Sequence, residues 1–374
     1  MKKLLLYTGL LLASVSCIYP YDPDLQDAGN RSVVIEGNIL IGDKSTAYLS
    51  YTIPLSGQLQ GYPAGTGYIE DDKGGTYSMI TGSHTVQGYQ IDFNTANAAE
   101  DRKYRMVISV DGLTYRTEWI TPEKSPVIGG VSFKADESQV YAMVSFKDSP
   151  GGSGYFSVSC EETWHFHADY ERTYYLDLST LVIVDLQSTM GDPYWCWKSF
   201  TPPTSTLVDA HDTNGEVKDL IFKSFPRTDN RNHDRYRVKV KVRNMSENEY
   251  KFRKLLDQNE DVGGNLFTPE PGEMIGNIAC VEDPSVRVYG YVYASSVTEG
   301  TYYFNSPYYI ISRYVLIKVE DTAEEYIRYS GMGFQPVTDY YDNDESFIGW
   351  GPERCYDCTA AGGTRNKPED WEEK

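Results

Sequence analysis

The stretch Trp164-His165-Phe166-His167 sets two histidines two residues apart. On a β-strand, positions i and i+2 share a face. His165 and His167 would then present their imidazoles together, with Glu161 on the same face. Imidazole and carboxylate groups bind metals such as zinc, so one reading is a metal site. The competing reading is an exposed polar strand face. Cys355 and Cys358 form a second constellation, Cys-x-x-Cys. A thioredoxin-like motif needs a strand before it and a helix after it. Here "WGPER" precedes and "TAAGGTRNKP" follows, which is loop on both sides. Zinc would need two more ligands, and the chain has five histidines. A structural disulfide involving Cys355 and Cys358 comes first, ahead of free thiols and metal.

Carboxylates cluster at Glu161–Glu162 and at Asp342, Asp344 and Glu345. Paired glycosidase acids are recognised by their distance in space, which spacing alone does not give. Counting from Asp342, the residues Asp344, Ser346 and Glu353 fall at EF-hand positions three, five and twelve. Phe347 stands where the sharp turn needs glycine, and no helical pattern flanks the stretch, so a solvated acidic loop is the better reading. Neither G-x-S-x-G nor H-E-x-x-H occurs. No catalytic residue is assigned, and no cofactor is implied.

The elements that would position these residues are mostly strands. From Arg31 onward, short apolar or alternating runs are separated by turn residues. "VDGL" (Val110–Leu113) carries the Asp-Gly hairpin signal. "YRVKVKVR" alternates strictly, so one face is buried and Lys239 and Lys241 point to water. Ser246 and Glu249 read as a capping box before a helix whose inward stripe is Tyr250, Leu255 and Leu256. A second short helix fits "TAEEYIRYSG". The fold expected is mainly β. An immunoglobulin- or transthyretin-like β-sandwich occupies residues 31–122. A larger β-sandwich-like domain with one or two short helices spans 123–350, with "TPEKSP" (Thr121–Pro126) as the hinge. Residues 351–374 form a Cys-containing polar tail.

Lys2 and Lys3 precede an apolar run, Leu4–Val15, of about a dozen residues, short of the roughly 20 that span a bilayer. That is a secretory signal plan. With Ser14 and Ser16 ahead of Cys17, it reads as a lipoprotein signal peptide over residues 1–16, with Cys17 as the lipidated thiol. The other reading is ordinary cleavage after Ser16. Residues 17–30, rich in proline and aspartate, read as a flexible leash. The net charge of −20 argues against nucleic acid, which needs basic patches. The 32 tyrosines fit β propensity and half-buried sheet better than dedicated stacking platforms. Cys160, Cys196, Cys280, Cys355 and Cys358 are an odd set, so at least one stays free or pairs elsewhere.

Several stretches together resemble a family of Bacteroidota outer-membrane lipoproteins known as domain of unknown function 4249. They are Cys17, "VVIEGNI" (Val33–Ile39), "EETW" (Glu161–Trp164), Cys196–Trp197, "RYRVKVKVRNMSENEYKFRKLL", "GNLFTPEPGEMIGNI", "VYGYVYAS" and "CYDCTAAGGTRNKPEDW". The resemblance covers nearly the whole chain. It implies no enzymatic role and no catalytic residues. It implies an outer-membrane, lipid-anchored, cell-surface-facing protein that accompanies a TonB-dependent receptor barrel in nutrient capture or transport. A structural or adhesion lipoprotein is the alternative, and a hydrolase is less favoured. "DTA" (Asp321–Ala323) resembles the short O-glycosylation motif of Bacteroidota, which makes Thr322 a candidate acceptor.

Overall fold

A computed structural model describes residues 31–53, 61–186, 194–260, 276–306, 314–342 and 345–372. Cys17 and residues 263–275 lie outside the described residues. The chain is mainly β, in several sheets, with two α-helices among the described residues.

Seven strands come first: β1 (Val33–Leu40), β2 (Lys44–Tyr51), β3 (Gly65–Asp71), β4 (Thr76–Thr85), β5 (Gly88–Asn94), β6 (Tyr104–Val110) and β7 (Leu113–Thr117). Next come β8 (Val127–Ala135), β9 (Gln139–Lys147), β10 (Tyr155–His167), β11 (Tyr174–Asp177), β12 (Val182–Asp185), β13 (Trp195–Phe200), β14 (Thr206–Asp209), β15 (Glu216–Pro226) and β16 (Arg235–Asn244). Helix α1 (Glu247–Glu260) leads to β17 (Ile278–Cys280), β18 (Val288–Tyr289), β19 (Val292–Ser295), β20 (Thr298–Asn305) and β21 (Ile317–Lys318). Helix α2 (Ala323–Gly331) precedes β22 (Phe334–Asp342) and β23 (Glu345–Pro352).

Period-2 burial builds the first sheet. In β1, Val33, Ile35 and Ile39 are buried between half-exposed neighbours, as a one-sided strand requires. The Asp-Gly turn joins β6 to β7: Asp111 and Gly112 take φ of 52° and 79°, and Val110 faces Leu113. Positive φ at both central residues is the type I′ condition.

Residues 278–295, grouped from sequence with the second part, return to this first sheet. β17 pairs with β7, while β18 and β19 pair in parallel with β1. The order is β17-β7-β6-β3-β4-β5-β2-β1-β18. Its two ends are consecutive in the chain, so the sheet is nearly closed and barrel-like. Asn277 bridges the seam. Its amide donates to the Val292 carbonyl at 2.6 Å, and its side-chain oxygen accepts the Val292 N–H at 3.0 Å. A side-chain amide carries the same donor and acceptor as a peptide group, so Asn277 stands in for a strand residue. Gly290 beside it sits at φ 98°, and a Cβ there would run into the Ile35 carbonyl oxygen. Ile35, Leu49, Ile91, Phe93, Met106 and Val292 share the core that the sheet encloses.

The second core joins two sheets: β15-β9-β8, and β13-β10-β16-β20 with β14 also on β10. Val144 and Phe146 from one meet Phe156, Trp164, Val238 and Val240 from the other. The expected hinge is pinned between the two parts. The Glu123 N–H donates to the Ala294 carbonyl at 3.0 Å, and the Glu123 carbonyl accepts from Ser296. A smaller core of Leu176, Tyr326 and Trp350 lies under α2 and β23.

Two sequence expectations change here. Lys239 and Lys241 face away from the core, but not into open water. They belong to a row of five cations on one face of β16, each matched by an acid or a carbonyl from another element. Arg235 and Arg237 bind the C-terminal segment, and Lys239 pairs with Asp370. Lys241 pairs with Glu161, and Arg243 with Glu249. In α1, Ser246 accepts the Glu249 N–H at 3.2 Å as a cap does. The Glu249 carboxylate turns to Arg243 instead of back to the cap. Among the described side chains of α1, Glu249 and Phe252 are buried, Tyr250 and Leu256 are half-buried and Leu255 is exposed.

Candidate functional site

Strand β10 sorts its side chains by parity. Phe156, Val158, Cys160, Glu162, Trp164 and Phe166 go inward, while Glu161, Thr163, His165 and His167 lie on the opposite face. The adjacent glutamates therefore do not form a carboxylate pair. Glu161 meets Lys241 at 2.7 Å on the outer face. Glu162, with its side chain fully buried, lies 2.7 Å from Lys223 and 2.8 Å from Arg231. Tyr236 also donates to it at 3.2 Å. Burial and then the Glu162 charge raise the Tyr236 phenol well above its usual range, so it stays a donor. Arg231 also covers the Trp164 ring at 4.5 Å. Glu162 thus anchors the loop before β16 to the core.

His165 and His167 do share a face, and β13 brings aromatic rings over them. Cross-strand pairing sets His165 opposite Trp197 and His167 opposite Trp195. His165 stacks on both indoles, with centroids 4.7 Å from Trp195 and 4.5 Å from Trp197, both within 26° of parallel. Its Nδ1 lies 2.6 Å from Asp234. His167 stacks on Tyr194 at 4.9 Å and lies 4.4 Å from the His233 ring. The His167 Nδ1 contacts the Ala168 carbonyl at 2.6 Å, and the His233 Nδ1 contacts the His167 carbonyl at 2.9 Å. A carbonyl only accepts, so both rings carry their proton on Nδ1. Beside them lies a cavity of about 540 Å³ lined by His167, Asp169, Lys198, His233, Tyr314 and Arg354, among others. Among the described residues, no three His, Cys, Asp or Glu side chains come together to hold a metal. His165 is held by Asp234 and indoles, His167 by the main chain. The chemistry on offer is stacking and hydrogen bonding, with Trp195 38% exposed at the rim.

The cysteines correct the pairing expected from spacing. Cys358 bonds Cys196, not Cys355. Cys196 points inward from β13 between the two stacked tryptophans. The segment after it in space is fixed by Trp197–Thr364 backbone bonds of 2.8 and 2.7 Å, which bring Cys358 to β13. Cys355 is a buried free thiol beside Leu316 and Val337. Burial first, then the nearby Asp169 charge, push that thiol up to about 12, and burial pushes Cys160 up to about 11. Neither is a poised nucleophile.

The remaining candidates sit apart from this face. Asp342 and Glu345 pair across the β22–β23 hairpin, flanked by strands and not by EF-hand helices. Asp344 lies outside the described residues. Thr322 is exposed and caps α2, accepting the Glu325 N–H at 3.3 Å. A second and larger cleft, about 820 Å³, lies between α1 and β17 and includes Arg116, Glu118, Lys251, Phe252, Leu255 and Asn277 in its lining.

Sequence reasoning missed Trp195, Asp234, His233 and Trp371. The run "NRNHDR" (Asn230–Arg235) was the available signal, since it packs hydrogen-bonding side chains just before a strand. A family described as a domain of unknown function (DUF4249) matches residues 18–301. No curated protein matches the chain.

Proposed function

The chain belongs to the DUF4249 family, and from that premise we propose that it is a non-enzymatic, lipid-anchored outer-membrane protein of Bacteroidota type. Its role is to accompany a TonB-dependent receptor barrel in nutrient capture or transport. The observation that supports this most is the amino-terminal pattern: Lys2 and Lys3, the apolar run Leu4–Val15, then Cys17 and an acidic leash. One acyl chain holds only marginally, while two or more anchor stably. The tether then holds at the surface a β-rich body, with a nearly closed first sheet and a second core between two further sheets. The stacked histidine face suits docking of a flat ligand or a partner loop, because it offers aromatic surface and hydrogen bonds without a nucleophile of lowered pKa among the described residues.

The test is a pull-down of tagged protein from outer membranes in mild detergent, with Cys17→Ser as control. The expected result is a TonB-dependent barrel in near-stoichiometric amount with the wild type and its loss with the variant. A membrane-bound wild type that brings down no barrel overturns the transport reading and favours adhesion or a structural role.

A further inference from the structure

The carboxy-terminal residues do not trail as a polar tail. Arg365–Lys367 and Glu369 are exposed, yet Trp371 beyond them is only 6% exposed. The segment Asp370-Trp371-Glu372 is read residue by residue. Arg237 donates to the Asp370 carbonyl at 2.9 Å and pairs with its carboxylate at 2.8 Å, while Lys239 takes the other carboxylate oxygen at 2.6 Å. Arg235 donates to the Glu372 carbonyl at 2.6 Å, and the Glu372 N–H donates to the Tyr303 hydroxyl at 3.0 Å. The Trp371 indole packs edge-on against Tyr303 at 5.6 Å and near His165 at 6.4 Å.

Main-chain carbonyls of alternate residues are thus caught by two arginines that alternate along β16. The segment lies on the face of β16, which is paired on both sides by β10 and β20, so guanidinium side chains do the main-chain reading that a sheet edge does when it takes up an added strand. The arginines are built into the sheet face, at 8% and 6% exposure. Each keeps a buried Nε–H with no hydrogen-bond partner among the described residues. Their positive charge stands out in a chain of net charge −20.

We infer that this face of β16 and β20 is a recognition groove for an extended aspartate–tryptophan segment of a partner protein, filled in the resting chain by its own residues 370–372, whose aspartate carboxylate, indole and main-chain carbonyls it reads. The cis segment competes at an effective concentration on the order of millimolar. A partner must therefore present the same chemistry and bind well, or present it in several copies. This inference does not depend on the lipid-anchor reading.

The experiment keeps the full chain. Asp370→Ala with Trp371→Ala empties the groove, and the peptide of residues 368–374 is titrated in by calorimetry. Saturable one-to-one binding is expected, at least tenfold tighter than to the unmodified protein, in which the cis segment competes. A peptide with alanine for the tryptophan is expected to bind at least tenfold more weakly, as is the original peptide once Arg237→Gln is added. A variant of native circular dichroism that binds no peptide overturns the inference. Equal binding of the alanine peptide also overturns it, because the groove then reads charge alone. Should the double variant fail to fold, Asp370→Asn weakens the cis segment instead, and the added peptide is expected to bind it more tightly than it binds the unmodified protein; binding no tighter overturns the inference.

Discussion

Arg237 holds Asp370 twice, once by its main-chain carbonyl and once by its carboxylate. Hydrogen bonds to Lys239 and then to Arg237 lower the Asp370 pKa from 3.8 to about 2. A depressed carboxyl contributes stability that is present above its unfolded pKa and is lost as pH falls through its folded value. The contribution of the Asp370 carboxylate to docking is therefore fully present above pH 3.8 and lost progressively down to about 2, while the main-chain bonds from Arg235 and Arg237 remain. Trp371 emission, taken as the difference from Trp371→Phe, is expected to shift to the red across that window. A spectrum unchanged until global unfolding refutes the assignment.

The disulfide yields a mass-spectrometric prediction. Non-reducing digestion is expected to give a Cys196–Cys358 peptide, with Cys355 alkylated only after unfolding. Cys196→Ser should lower stability by about 2–5 kcal/mol, because the bridge closes a long loop, whereas Cys355→Ser leaves the bridge intact. A recovered Cys355–Cys358 peptide would contradict the geometry.

The two neighbouring glutamates should behave unequally. Glu162→Ala leaves Lys223 and Arg231 facing a buried site without their carboxylate, a loss of about 3–5 kcal/mol. Glu161→Ala removes a partly exposed ion pair, worth about 0–1 kcal/mol. Urea denaturation of the two variants measures the contrast. Equal losses would place both carboxylates in the same environment.

Asn277→Ala removes both bonds to Val292 and leaves main-chain groups unmet at the seam. The cost expected is about 1–3 kcal/mol. Hydrogen exchange at the Val292 amide should accelerate before that at β6, whose neighbours β3 and β7 are untouched. Uniform acceleration would mean the clasp does not act locally.

The sequence was legible where one strand carries its own periodicity or a turn its own chemistry. β16 alternates from Arg235 to Arg243, and Asp111-Gly112 announces its turn. The return of β17, β18 and β19 was not legible, because strands of three, two and four residues are too short to show a period. His165 and His167 were placed on the right face from spacing, but the rings that enclose them come from β13, beyond any local pattern. The Cys196–Cys358 pairing joins residues 162 apart, and only folding brings them together. Trp371 was read as part of a tail because its neighbours are charged. Its burial follows from arginines more than 130 residues earlier in the chain.

The closure of the first sheet by β17, β18 and β19 sets an order of assembly. Residues 33–117 are synthesised first, yet the strands that cover β1 and β7 arrive only with residues 278–295. At ~5–20 residues per second, that interval is on the order of ten to thirty-five seconds. Through it, the early strands hold two bare edges, the kind of surface that pairs with a neighbouring chain. The part of the protein made earliest is thus completed among the last, and its partners in that step come from its own far half.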